Sequence, residues 1–149
     1  MLFLLPILAV SQIQINEIFA DNGDCCLDDS LETEDFLELI NVGDFPIDIA
    51  GYYFGDQDGG SVIPSGYPET TTISSGQVLL LWFDNEPEQG PLHIDAKLNN
   101  NGETILAIDL AGDTIIDVSY GPQSEDVAFA ALPDGEPYDT NWSFTICPT

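Results

Sequence analysis

The chain has 149 residues, of which one is Lys or Arg and 27 are Asp or Glu, for a formal net charge of −26. That balance excludes ordinary nucleic-acid binding, because neutralising phosphates takes Lys and Arg. Hydrophobic residues still make up 44% and mean hydropathy is +0.05, so the acidity does not come with the low hydrophobicity that keeps chains disordered. One domain with one core is expected at this length.

Residues 1–11 are almost wholly apolar, and the chain turns polar at Gln12. The stretch is shorter than the roughly 20 residues that a bilayer span needs. Ala9-Val10-Ser11 puts small residues where a signal peptidase reads, which predicts a signal peptide over 1–11, cut before Gln12, and a secreted or cell-surface protein. A first buried strand is the alternative. The basic segment that usually opens a signal peptide is missing, so either the true start lies upstream or the chain is a fragment.

From Gln12 onward, runs with alternation or β-branched enrichment recur at Gln12–Ala20, Phe36–Val42, Pro46–Phe54, Gln77–Phe83, Ile94–Leu98, Glu103–Leu110, Thr114–Tyr120, Asp126–Leu132 and Asn141–Ile146. No stretch sustains a capped helical period. Asn101-Gly102 suits a type I′ hairpin, Ala111-Gly112-Asp113 a short reverse turn and Pro133-Asp134-Gly135 a type I or II turn. Many short strands at this spacing predict an all-β sandwich or barrel. The longer connections are 21–35, acidic and carrying Cys25 and Cys26, and 55–76, rich in Gly, Pro, Ser and Thr.

These residues also carry a resemblance. Ile15-Asn16-Glu17, Asp35 to Asn41, Ile47 to Tyr53, Ile63-Pro64 with Gly76-Gln77 and Leu81-Trp82, Gly102-Glu103-Thr104, Ile116 to Gly121 and Pro133-Asp134-Gly135 follow in the order of the lamin tail domain family. The likeness runs from about Ile13 to the end and is similar most to the branch found in secreted bacterial proteins. It implies an immunoglobulin-like antiparallel β-sandwich over 12–149 with no known catalytic residues, one module of a larger secreted or surface protein. Phe36 stands where the family often has an aromatic or Trp, and the chain departs from the family at Ala130-Ala131-Leu132, where Gly-Arg-Tyr is usual. Pro148-Thr149 resembles the start of the family's Pro-rich exit, so a further segment is expected after it.

No catalytic constellation stands out. His93 has no nucleophile elbow to serve. The spacing His93, Asp95, Lys97 puts these three on one strand face and Ile94, Ala96, Leu98 on the other. Glu17 and Glu38 interrupt the apolar stripes Ile13-Ile15-Phe19 and Phe36-Ile40. A buried charge needs a partner, and Lys97 is the only Lys or Arg, so a Glu–Lys97 pair is expected, with exposure at a strand edge as the alternative. The three cysteines leave one thiol without an intrachain partner. Cys25 and Cys26 close on each other only in a strained ring, so a bridge from one of them to Cys147 is sterically easier.

Hard oxygen ligands at Asp21, Asn22, Asp24, Asp28 and Asp29, and at Asp56 and Asp58, suit Ca²⁺, although neither loop has the EF-hand spacing. If the loops gather at one end of the sandwich, the two sets could meet. A solvated acidic surface is the competing reading. The function expected is a non-enzymatic extracellular structural, adhesion or protein-interaction module, contacting other domains, matrix or glycan. The alternative is a Ca²⁺-assisted carbohydrate-binding module, for which Tyr52, Tyr53, Phe54 and Trp82 are the candidate aromatics.

Overall fold

The computed structural model describes residues 11–147, so the leader expected over 1–11 lies outside the described residues except for Ser11. In chain order the elements are β1 (Ile13–Phe19), β2 (Phe36–Asn41), β3 (Ile47–Asp48), β4 (Tyr53–Gly55), β5 (Gly60–Val62), α1 (Pro68–Thr71), β6 (Thr72–Ile73), β7 (Val78–Phe83), β8 (His93–Ile94), β9 (Thr104–Ile108), β10 (Thr114–Ser119), β11 (Val127–Ala131) and β12 (Trp142–Ile146). A six-stranded sheet in the order β12-β11-β1-β2-β7-β8 is accompanied by a four-stranded sheet, β10-β9-β4-β5, while β3 and β6 form a separate pair. This is the expected all-β, immunoglobulin-like sandwich. Its ladders are antiparallel except for β7 and β8, which run parallel at the edge of the larger sheet.

The core forms because alternate residues of both sheets are apolar. Ile13, Ile15, Ile18, Leu37, Leu39, Leu81 and Phe83 pack with Phe54, Ile105, Ala107 and Ile116, each large side chain contributing roughly 1.5–3 kcal/mol of apolar burial. A β-bulge between Ile15 and Glu17 changes the parity of β1: Ile15 pairs with Leu39, then Glu17 with Glu38. One unpaired residue turns every later side chain over. Ile18 therefore enters the core, whereas Phe19 joins Phe36, Trp82 and Ala128 in a second cluster. The expectation that Ile13, Ile15, Glu17 and Phe19 share one face is corrected accordingly. In the second cluster the Phe19–Phe36 and Phe36–Trp82 rings meet edge to face at 5.3 and 5.4 Å, with Cys25 and Cys26 packed against it.

Some expected runs are cut by turns. Pro46–Phe54 divides into β3 and β4 around Gly51, whose φ of 84° favours glycine. Residues 55–76 hold β5, α1 and β6 rather than a plain loop. Only His93–Ile94 of the 93–98 stretch is strand: Ile94, Ala96 and Leu98 are buried and Asp95 and Lys97 exposed as alternation implies, but His93 is buried too. At Asn101-Gly102 the N–H of Gly102 donates to Asn99 O at 2.8 Å, which centres the turn on Asn100 and Asn101 instead of forming a type I′ turn on Asn101-Gly102. Among the described residues no helix is long and apolar enough to cross a membrane.

Candidate functional site

At one end of the sandwich the exit of β1, the β4–β5 hairpin and the 95–103 segment enclose a cleft of about 740 Å³. Asp21, Asp35, Asp56, Asp58, Asp95 and Glu103 line it, with Lys97 as the opposing charge. The hairpin is held by Asp56, whose Oδ1 accepts the N–H groups of Asp58 and Gly59 at 2.6 and 2.7 Å. Gly55 allows the closure, since a Cβ there would lie 2.3 Å from Gly59 O. Burial pushes the Asp35 carboxyl up to about 6, with Asp21 and Glu34 adding to the rise, against the N–H of Asn22 and the charge of Lys97. Glu103 is likewise raised by burial although Asn99 N–H and Tyr120 O–H donate to it at 2.7 and 2.9 Å. The cleft is thus a set of carboxylates held apart by backbone donors, a concentrated negative field with no Ser, Thr, Cys or His among its lining residues.

The residues expected as Ca²⁺ ligands do not form one set. Asp21, Asp56 and Asp58 meet in the cleft. Asn22 is buried, and its amide is spent on the 21–35 loop: Nδ2 donates to Cys26 O and Glu34 O, both at 2.8 Å, and Oδ1 accepts from Cys25 and Cys26. Asp24 and Asp29 are exposed. Asp28 is buried away from the cleft lining, beside Asp84 and His93. Asp126, which alternation marked only as the start of a strand, anchors this loop by accepting the N–H groups of Gly23 and Asp24 at 2.8 and 3.0 Å.

The expected Glu–Lys97 pair joins a different glutamate. Lys97 Nζ lies 3.8 Å from Glu34 Oε2, with 64% of its side chain exposed. Glu17 and Glu38 instead sit on the other side of the larger sheet, because the bulge turns Glu17 outward. They line a 300 Å³ hollow with Asp134 and Asn16, where Asn16 Nδ2 donates to Glu38 at 2.7 Å and to Asp134 at 3.1 Å. Since exposed pairs contribute about 0–1 kcal/mol, Lys97→Met should shift urea-unfolding stability by less than about 1 kcal/mol. A larger loss would restore a structural role for the cation.

A disulfide joins Cys25 to Cys147 and leaves Cys26 free. The aromatics expected on a glycan platform do not make one: Phe54 and Trp82 are buried, and Tyr52 and Tyr53 half-buried. A ribbon missed by the sequence reading lies on β11 and β12, where Phe129 packs with Phe144, Trp142 and Tyr138 at ring separations of 5.0–6.3 Å. Its signal was the alternation Trp142, Phe144, Ile146 along an edge strand, whose outer residues are 61% and 79% exposed at Phe144 and Ile146.

A family model described as Lamin Tail Domain matches residues 8–122. Comparison with the curated proteins and with the solved structures gives no match. The match ends before β11, short of the likeness expected to the end of the chain, yet β11 pairs with β1 and completes the larger sheet. With well over half of its length covered, and the sandwich in place, the chain belongs to the lamin tail domain family.

Proposed function

We propose that the chain is a non-enzymatic interaction module of an extracellular protein and that its acidic cleft receives a positively charged segment of a partner protein. The observation that carries this reading is the cleft itself, six carboxylate residues around about 740 Å³ against one Lys. A concave wall of one charge focuses the field and steers an oppositely charged partner. The apolar stretch over 1–11 and the Cys25–Cys147 bridge support an oxidising, extracellular setting. Ca²⁺ is the small-ion counterpart of such a partner, with Asp21, Asp56 and Asp58 as oxygen donors.

A Lys/Arg-rich peptide titrated by calorimetry should bind with an affinity that falls as salt rises. Asp56→Asn with Asp58→Asn, which keeps an oxygen for the hairpin N–H groups, should weaken it at least tenfold. Millimolar Ca²⁺ should compete more strongly than NaCl of equal ionic strength. An unchanged affinity in the double variant, or equal binding of an acidic peptide, would remove the cleft from the function. A carbohydrate-binding module is a second reading, favoured by the ribbon of half-buried Phe129 and Trp142 with exposed Phe144. Glycan-array screening beside the peptide titration separates the two.

A further inference from the structure

We infer that Asp28, Asp84 and His93 form a buried binding site for a divalent transition metal of the zinc class. The three residues are 5%, 2% and 5% exposed, and each offers a ligand atom within 4.8 Å of those of the other two. They come from separate parts of the chain: the 21–35 loop, the residue after β7, and the parallel edge strand β8. Each carboxylate commits one oxygen to the backbone. Asp28 Oδ1 accepts the N–H groups of Ser30 and Glu32 at 2.8 and 2.9 Å, and Asp84 Oδ1 accepts that of Glu86 at 2.9 Å. Asp84 Oδ2 meets His93 Nδ1. Asp28 Oδ2 is buried with no partner.

A pair between Asp84 and His93 accounts for those two residues and leaves Asp28 unexplained. An unsatisfied buried carboxylate oxygen is costly, and the cluster carries two carboxylates against one imidazole, so it remains negative even with His93 protonated. Lys97, the only Lys or Arg of the sequence, is turned to Glu34. A divalent cation supplies the missing charge and a partner for Asp28 Oδ2. One imidazole nitrogen with two carboxylates is a donor set for Zn²⁺, whose ligand atoms lie at about 2.0–2.2 Å from the ion, and a poor one for Ca²⁺, which takes roughly six to eight oxygens. An outer support is present: Gln89 Nε2 donates to Glu32 Oε2 at 2.9 Å and to Glu86 Oε2 at 2.6 Å, tying the turn after Asp28 to the turn after Asp84. Bound metal would therefore fasten the 21–35 loop to the edge of the larger sheet.

The full chain, dialysed against chelator and titrated with Zn²⁺, tests the site, because His93 is the sole imidazole and its NMR ring signals report directly. The expected result is one ion per chain, with the His93 signals shifting to saturation at one equivalent and unmoved by the same concentration of Ca²⁺. Asp28→Asn retains an oxygen for the Ser30 and Glu32 N–H groups, so it should keep the circular dichroism spectrum and lose at least tenfold in Zn²⁺ affinity. Cys26→Ser should bind as the parent does. Zn²⁺ uptake that leaves the His93 signals in place, affinity undiminished by Asp28→Asn, or binding lost with Cys26 would each overturn the inference, whatever the basic peptide does at the cleft.

Discussion

Removal of the Cys25–Cys147 bridge is expected to be the most damaging covalent change in the domain. The two cysteines are 122 residues apart, and in the chain-entropy model a cross-link over that span restrains the unfolded chain by about 5 kcal/mol. A domain of this kind has about 5–15 kcal/mol of total stability, so the loss takes a third of it or more. The bridge also fastens the end of β12 to the 21–35 loop, whose Cys25 and Cys26 pack against the Phe19–Phe36–Trp82 cluster. Urea unfolding of Cys25→Ala with Cys147→Ala should show this loss, whereas Cys26→Ser should lie within about 1 kcal/mol of the parent. Equal midpoints for the double variant and the parent would count against the cross-link account. Exchange between Cys26 and its neighbour is suppressed at neutral pH, because burial pushes the Cys26 thiol up and the thiolate is the attacking species.

The second large effect is a loss of stability on raising the pH. Glu17 is buried in the sheet surface, and desolvation, followed by the facing carboxylates of Glu38 and Asp134, pushes it from 4.5 up to about 8. Between those values the folded chain holds a proton that the unfolded chain has released. Stability from this group is therefore complete below about pH 4.5 and gone once the pH has passed 8. At about 1.4 kcal/mol per unit the difference is roughly 4–5 kcal/mol. Asp35, raised to about 6, acts in the same direction. Glu17→Gln mimics the protonated form, so calorimetric melting should find it equal to the parent near pH 4 and more stable at pH 8, by roughly 15 °C. Identical pH profiles for the two proteins would assign the titration to other carboxylates.

The sheet assignment was legible in the sequence because β-branched and alternating runs recur between turn residues; alternation survives intact at β9, whereas β2 is buried on both faces and β10 shifts register between Thr114 and Ile116. Parity in β1 was not legible: nothing in Ile13–Phe19 marks Asn16 as the extra residue, and the partner strand decides it. Consequently the burial of Glu17 was foreseen while its neighbours were not. Alternation also misled at 94–98, where Ile94, Ala96 and Leu98 are buried without a continuous strand to carry them. The loop chemistry divided in a similar way. Asp21, Asp56 and Asp58 meet because sandwich loops gather at sheet ends, a rule of the fold class. Asp28, Asp84 and His93 meet only through a parallel contact between β7 and β8, which no local pattern announces.

The pairing of β1 with β11 and β2 has a temporal consequence. Glu17 faces Ala130 across one ladder and Glu38 across the other, so β1 sits in the interior of a sheet between a strand made soon after it and a strand made much later. Until β11 arrives, β1 presents an unsatisfied row of N–H and C=O groups beside Ile13, Ile15 and Ile18, the kind of open edge on which chains add to one another. Closure over so long a stretch of chain is slow compared with hairpin formation. The abundant negative charge then has a use before the fold exists, because nascent copies repel one another during the interval in which that edge stands open.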